Sequence, residues 1–275
     1  MNEQDGEMAF VERNNQLEWK RASEAFPRTS LFGKNGVNPE DLKQGAIGNC
    51  WFISGVAALA EFPGRVEKLF LNNSNELSRT GVYGINFYTL GFPQTIIIDD
   101  YLPLVQREDG KYTTLYADIS DDFGIWVAII EKAFAKRYGN YEHIIAGIPS
   151  EAVRTLTGSP YTMHEHKDMD VEALWQLLSH HDRNDDFITC GTEGADDTKR
   201  NLSGLAKGHA YTMMGTVKLS NGTRLVKIRN PWGSEGFVGA FSDTSSLWDD
   251  QSKTEAGYKK ADDGIFFTDI ETYAS

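Results

Sequence analysis

The chain has 275 residues, 40% of them hydrophobic and 24% charged, with a formal net charge of −13. That length can bury a substantial core in one large domain or two medium ones. An acid excess of this size disfavours nucleic acid or an anionic membrane surface as the primary partner, and no apolar run approaches the length of a membrane span.

The opening MNEQDGEMAFVERNN lacks an apolar stretch flanked by basic residues, so it does not resemble a signal peptide. The expected location is the cytoplasm, with no membrane insertion. Two cysteines, Cys50 and Cys190, are too few for a disulfide framework, and a reducing compartment keeps both as thiols. Residues 1–30 are charged and aperiodic, with Trp19 and Phe26 as apolar anchors, and are expected to be an N-terminal extension wrapped over the surface of the protein rather than a domain.

From Cys50 to Phe62, CWFISGVAALAEF places apolar residues nearly all round a helical wheel, the pattern of a buried helix, which Pro63-Gly64 ends. VYGINFYTL and TIIIDDYL, joined by Gly91-Phe92-Pro93, predict a hairpin. In IWVAIIEKAFAKRYG, Trp126, Ile129, Ile130, Ala133, Phe134 and Arg137 recur at helical spacing, with Gly139 as the C-terminal cap. Turn residues cluster at Thr157-Gly158-Ser159-Pro160, which sets the expected boundary between 31–158 and 159–275. Beyond it, VEALWQLLSHH predicts a helix capped by Asp170. FITC, HAYTMMGTVKL, TRLVKIRN and GIFFTDI then read as strands, with Ser220-Asn221-Gly222 as a turn and the last residues as a tail. The fold class this implies is α+β, a helical first part and a β-rich second part.

Cys50 stands in the first turn of its helix. If Asn49 caps that helix, unpaired backbone N–H groups and the helix dipole favour a thiolate and lower the thiol pKa. The alternative is a small apolar filler, because free cysteines are among the most buried residues. A nucleophilic thiol needs a base, and of the six histidines only His209 opens a strand, between Gly208 and Ala210 that leave room beside it. Asn230, at the end of the next strand, is a candidate to fix the imidazole tautomer, with Trp232 as a bulky cover, although Asn-Pro-Trp-Gly taken alone reads as a turn. A two-residue turn at Asn221-Gly222 would set Asn230 opposite Met213, ~13 Å along the strand from His209, so a bulge or a longer loop is required.

QGAIGNCWFISGVAALAEFP, IEKAFAKRYGNYE, KGHAYTMMG and IRNPWG resemble, in the same order, the motifs of the calpains, which are papain-like cysteine proteases. The similarity runs from about Leu31 to Phe267 and includes Trp19-Lys20-Arg21. It implies a papain-like two-lobe core with Cys50 in a helical lobe, His209 and Asn230 in a β-rich lobe, and a cleft between. It further implies Cys50 as nucleophile, His209 as general base and acid, Asn230 as the group orienting the imidazole, and Gln44 as side-chain donor to the oxyanion. Such a donor is worth roughly 3 kcal/mol. Cys190 matches a structural strand cysteine of the second lobe and is expected to be inert.

The chain departs from the family pattern at Asn49, where an aspartate is usual, and at two loop calcium sites. Gly36 and Asp41 match the first site while Gly124 replaces a glutamate; Asp243 and Asp263 match the second while Gly236 and Ile265 replace glutamates. Asp122 and Glu235 stand near the vacated positions. Calcium takes 6–8 oxygens, so binding is expected to be weak and no cofactor required. No D-x-D-x-D-G loop of EF-hand type occurs, so regulation by such a module is not expected. The leading expectation is a cysteine endopeptidase acting on protein substrates. The alternatives are a non-catalytic calpain-like binding protein and a transamidase using the same thioester chemistry.

Overall fold

The computed structural model describes residues 17–72 and 74–275. The signal-peptide reading of the opening segment lies outside the described residues. The chain divides into two compact units. One takes the described chain up to Asn49 with Pro63–Gly147 and Thr155–Gly158; the other takes Cys50–Phe62, Ile148–Arg154 and Ser159–Ser275. Both mix helices with antiparallel sheet, the α+β class. No helix among the described residues is long and apolar enough to cross a membrane.

The first unit contains β1 (Leu17–Arg21), β2 (Val82–Thr89), β3 (Phe92–Asp99), β4 (Tyr101–Gln106) and β5 (Tyr112–Thr114). β1, β4 and β5 form one sheet, and β2 and β3 a separate ribbon. Alternation along β2 buries Tyr83, Ile85 and Phe87, and Phe87 meets Phe134 of the Trp126–Tyr138 helix edge to face at 5.9 Å. The hairpin differs from the expected one. Its turn is Leu90-Gly91, both with positive φ (50° and 84°), so Phe92 and Pro93 belong to β3 instead of the connection. Pro93 is tolerated because the ribbon has only two strands and both are edges. β1 pairs with β4, so part of the segment expected to be an irregular extension is strand.

The second unit holds the Cys50–Ala60 helix, every residue of which is buried. Its sheet runs β6 (Ile188–Gly191), β7 (Ala210–Lys218), β8 (Arg224–Arg229), β9 (Ile265–Asp269) in that spatial order. The Val171–Arg183 helix starts where Asp170 accepts the Ala173 N–H at 2.7 Å. Its Leu174, Trp175 and Leu178 pack with Tyr211, Met213, Val226, Ile228 and Phe266 into one core. The Thr212 hydroxyl donates to the Ser54 carbonyl at 2.8 Å, tying the Cys50 helix to β7. The tail after β9 is a short helix, Ile270–Ala274, capped by Asp269.

Candidate active site

The β7–β8 register explains how residues 21 positions apart meet. Lys218 pairs with Arg224 and the Leu219 N–H bonds to the Thr223 carbonyl, so the connection is one residue longer than a two-residue turn. The register then shifts between Met213 and Gly215, so that Thr212 faces Arg229. The sequence called for a bulge or a longer loop, and both are present. Together they bring the His209 imidazole Nε2 to 2.9 Å from Asn230 Oδ1.

The bonds around Asn230 fix the tautomer. Its Nδ2 donates to the Ser234 carbonyl at 3.0 Å, and its Oδ1 accepts the Trp232 N–H at 3.1 Å. Oδ1 is therefore an acceptor, and the contact with His209 requires the proton on Nε2. Nδ1 is left with its lone pair, buried and without a hydrogen-bond partner among the described residues. Aromatic rings hold the imidazole in place: Trp232 lies 4.2 Å from it, and Tyr211 meets it edge to face at 4.8 Å. The Arg200 guanidinium stands 4.9 Å from the Trp232 ring, a cation–π contact that no local pattern in the chain announces. Gly208 supplies the turn into β7. Its φ is 60°, and a Cβ there would meet the Gly194 carbonyl oxygen at 2.8 Å. Thr192 then holds the His209 backbone on both sides.

Cys50 is buried at the start of its helix. Its thiol is pushed up, not down. Burial is the largest cause; hydrogen bonds from the Ala210, Trp51 and Cys50 backbone N–H groups oppose it, and the negative charge of Asp197 adds to it. The expectation of a lowered pKa took account of the helix terminus and missed the desolvation. The Ala210 N–H belongs to the residue after His209, which places the thiol beside the strand that carries the base. Burial also lowers the His209 imidazole, partly offset by its bond to Asn230. Burial thus disfavours the charged form of both groups.

Asn49 does not cap the Cys50 helix with its side chain. Its Nδ2 donates to Glu131 Oε1 at 2.7 Å, while its Oδ1 is buried without a hydrogen-bond partner among the described residues. Gln44, in the first unit, donates from Nε2 to the Ile47 carbonyl at 2.6 Å and keeps a second amide hydrogen. Cys190 pairs with Tyr211 in the β6–β7 ladder, and desolvation pushes its thiol up to about 11, which suits an inert residue.

The other histidines expected at the surface, His143, His164, His166, His180 and His181, are exposed or half-buried. Of the calcium-site candidates, Asp41 accepts the Asn38 N–H and the Trp126 indole N–H, and burial with the charge of Asp122 raises it to about 6. Gly36 has a positive φ and open space around it. A side chain at Gly124 is impossible without rearrangement, because a Cβ would meet Gly33 N and Ser120 Oγ at 2.8 Å. In the second cluster, burial and the charges of Asp243, Asp263 and Asp262 push Glu235 up to about 8. Glu235 Oε1 and Asp243 Oδ1 are buried without partners among the described residues. These oxygens fit a hard cation in their chemistry. Among the described residues, however, no three His, Cys, Asp or Glu side chains are arranged to hold a metal.

The family described as "Calpain family cysteine protease" matches residues 5–275. Human Calpain-14 is 33% identical over 263 residues, which cover 94% of this chain and 37% of the relative. The calpain-type cysteine protease DEK1 of Arabidopsis thaliana is 32% identical over 248 residues, 87% of this chain and 11% of the relative. The calpain-type cysteine protease ADL1 of Oryza sativa subsp. japonica is 30% identical over 263 residues, 91% and 12%. The chain thus spans little more than a third of the length of Calpain-14 and about an eighth of the two plant relatives.

Proposed function

Because the chain belongs to the calpain family of cysteine proteases, we propose that it is a cytoplasmic endopeptidase with a papain-like two-lobe core that hydrolyses extended segments of protein substrates through Cys50, His209 and Asn230. The observation that carries this reading is the bare, buried Nδ1 of His209, whose tautomer is fixed by the 2.9 Å bond from Nε2 to Asn230.

His209 Nδ1 takes the Cys50 proton as the sulfur attacks the scissile carbonyl, and Asn230 steadies the imidazolium that forms. The Cys50 backbone N–H and the free amide hydrogen of Gln44 serve the tetrahedral oxyanion. His209 next protonates the leaving amine. Water then attacks the thioester with His209 again as base, regenerating the thiol and releasing the acid. Gly208 and Trp232 border the base, and Trp232 shields the His209–Asn230 bond from water.

Calcium, where bound, would draw on Asp41 and Asp122 at one place and on the buried oxygens of Glu235 and Asp243 at the other. It would neutralise the repulsion among these acids. No step of hydrolysis passes through it, and the shortage of carboxylates supports weak binding with no strict requirement. Casein hydrolysis by the wild-type chain tests the reading: Cys50→Ala and His209→Ala should each abolish it, and undiminished hydrolysis in either variant would overturn it.

A further inference from the structure

The Trp126–Tyr138 helix buries nine residues, and eight of them are apolar. The ninth is Glu131, 1% exposed. An isolated carboxyl in such a place is costly, and an apolar side chain of the same size would pack there more cheaply. Burial pushes its pKa up to about 7 despite two hydrogen bonds. Those two bonds are specific. Oε1 accepts Asn49 Nδ2 at 2.7 Å, and Oε2 accepts the Ala117 N–H at 2.9 Å.

Asn49 carries a second cost, its buried Oδ1, which has no hydrogen-bond partner among the described residues. Its side chain is therefore committed to Glu131 and not to capping the Cys50 helix. Neighbouring bonds converge on the same loop: Ala46 N–H to the Leu115 carbonyl, Asn49 N–H to the Ile47 carbonyl, and Ala146 N–H to the Gly48 carbonyl, each at 2.9 Å. Glu131 thus anchors segment 44–49 and segment 115–117 to one rigid helix. Segment 44–49 holds Gln44, and its last residue is peptide-bonded to Cys50. Locally unfavourable groups of this kind concentrate where a chain trades stability for function.

We propose that Glu131 is a positioning residue for the cysteine chemistry: by gripping Asn49 and Ala117 it fixes the backbone that delivers the Cys50 N–H and the Gln44 amide. The proposal rests on Cys50 being the nucleophile. It identifies no new contact with substrate; Glu131 acts through Asn49.

Three variants test it. Glu131→Met removes both bonds at similar volume, and Asn49→Ala removes one from the other side. Glu131→Gln can keep both, since its amide oxygen accepts from Ala117 and its amide nitrogen donates to Asn49 Oδ1 once the Asn49 amide turns over. Active sites are titrated with a thiol-directed label, so that unfolded protein is discounted. In Glu131→Met and in Asn49→Ala, kcat per labelled site should fall about 10- to 100-fold with KM changed less than about threefold, because a small misplacement of reacting groups costs that much. Glu131→Gln should stay within about threefold of wild type. The proposal is overturned if Glu131→Met and Asn49→Ala both stay within about twofold of wild type per labelled site, or if Glu131→Gln is as damaged as Glu131→Met. Hydrolysis surviving in Cys50→Ala would instead overturn the nucleophile itself, whatever the Glu131 variants do.

Discussion

Glu131→Gln also gives a stability prediction whose sign and size come from the structure. Burial raises the carboxyl from its ordinary 4.5 to about 7. The folded chain therefore binds this proton more tightly than the unfolded chain. The associated stability is fully present below pH ~4.5 and is lost as pH rises through ~7. At 1.36 kcal/mol per pH unit, the whole effect is about 3 kcal/mol, of which about 2 kcal/mol falls between pH ~5.5 and ~8.5. Glutamine does not titrate, so the difference between wild type and variant isolates this group and cancels every other ionisation. Urea unfolding of both proteins across that range, above the sequence pI of 4.9, measures it. Wild type should lose about 2 kcal/mol relative to Glu131→Gln as pH rises. A difference that is flat with pH, or that grows in favour of wild type, would refute the reasoning that burial governs this carboxyl.

Three further outcomes are expected. Asn230→Ala removes the acceptor for His209 Nε2–H; kcat should fall roughly 10- to 100-fold, and a change under twofold would mean that the tautomer needs no partner. Thr212→Val deletes the buried bond to the Ser54 carbonyl and should lower stability by about 1 kcal/mol in denaturant unfolding, with no change counting against that bond. Casein hydrolysis should persist in chelator, because the carboxylates at the calcium-site candidates are too few for tight binding; strict activation at micromolar calcium would contradict this.

Local pattern sufficed for the elements made by neighbours in sequence. The Cys50 helix was legible because apolar residues surround it, and the Val171–Arg183 helix because Asp170 caps it. Even an irregularity between β7 and β8 was legible, since His209 and Asn230 could not meet without a bulge or a longer loop. Contacts between distant segments were not legible. β1 was missed because its partner β4 lies some 80 residues on. Asn49 was misread as a cap because Glu131, which claims its side chain, is 82 positions away. The Cys50 thiol was misjudged for the same reason: the helix terminus is written in the sequence, whereas its burial beside β7 is a tertiary fact. One signal for Glu131 was available. An acid flanked by apolar residues on a helix buried nearly all round has no solvent to face.

The central claim is that Cys50 is the nucleophile and His209 its base. The most direct measurement is peptide mapping of the chain after reaction with a thiol-directed, peptide-like label, with casein hydrolysis measured on the same samples. The label should sit on Cys50 and not on Cys190, hydrolysis should fall in step with labelling, and His209→Ala should suppress both. Labelling of Cys190 alone, or full hydrolysis with Cys50 completely modified, would contradict the account.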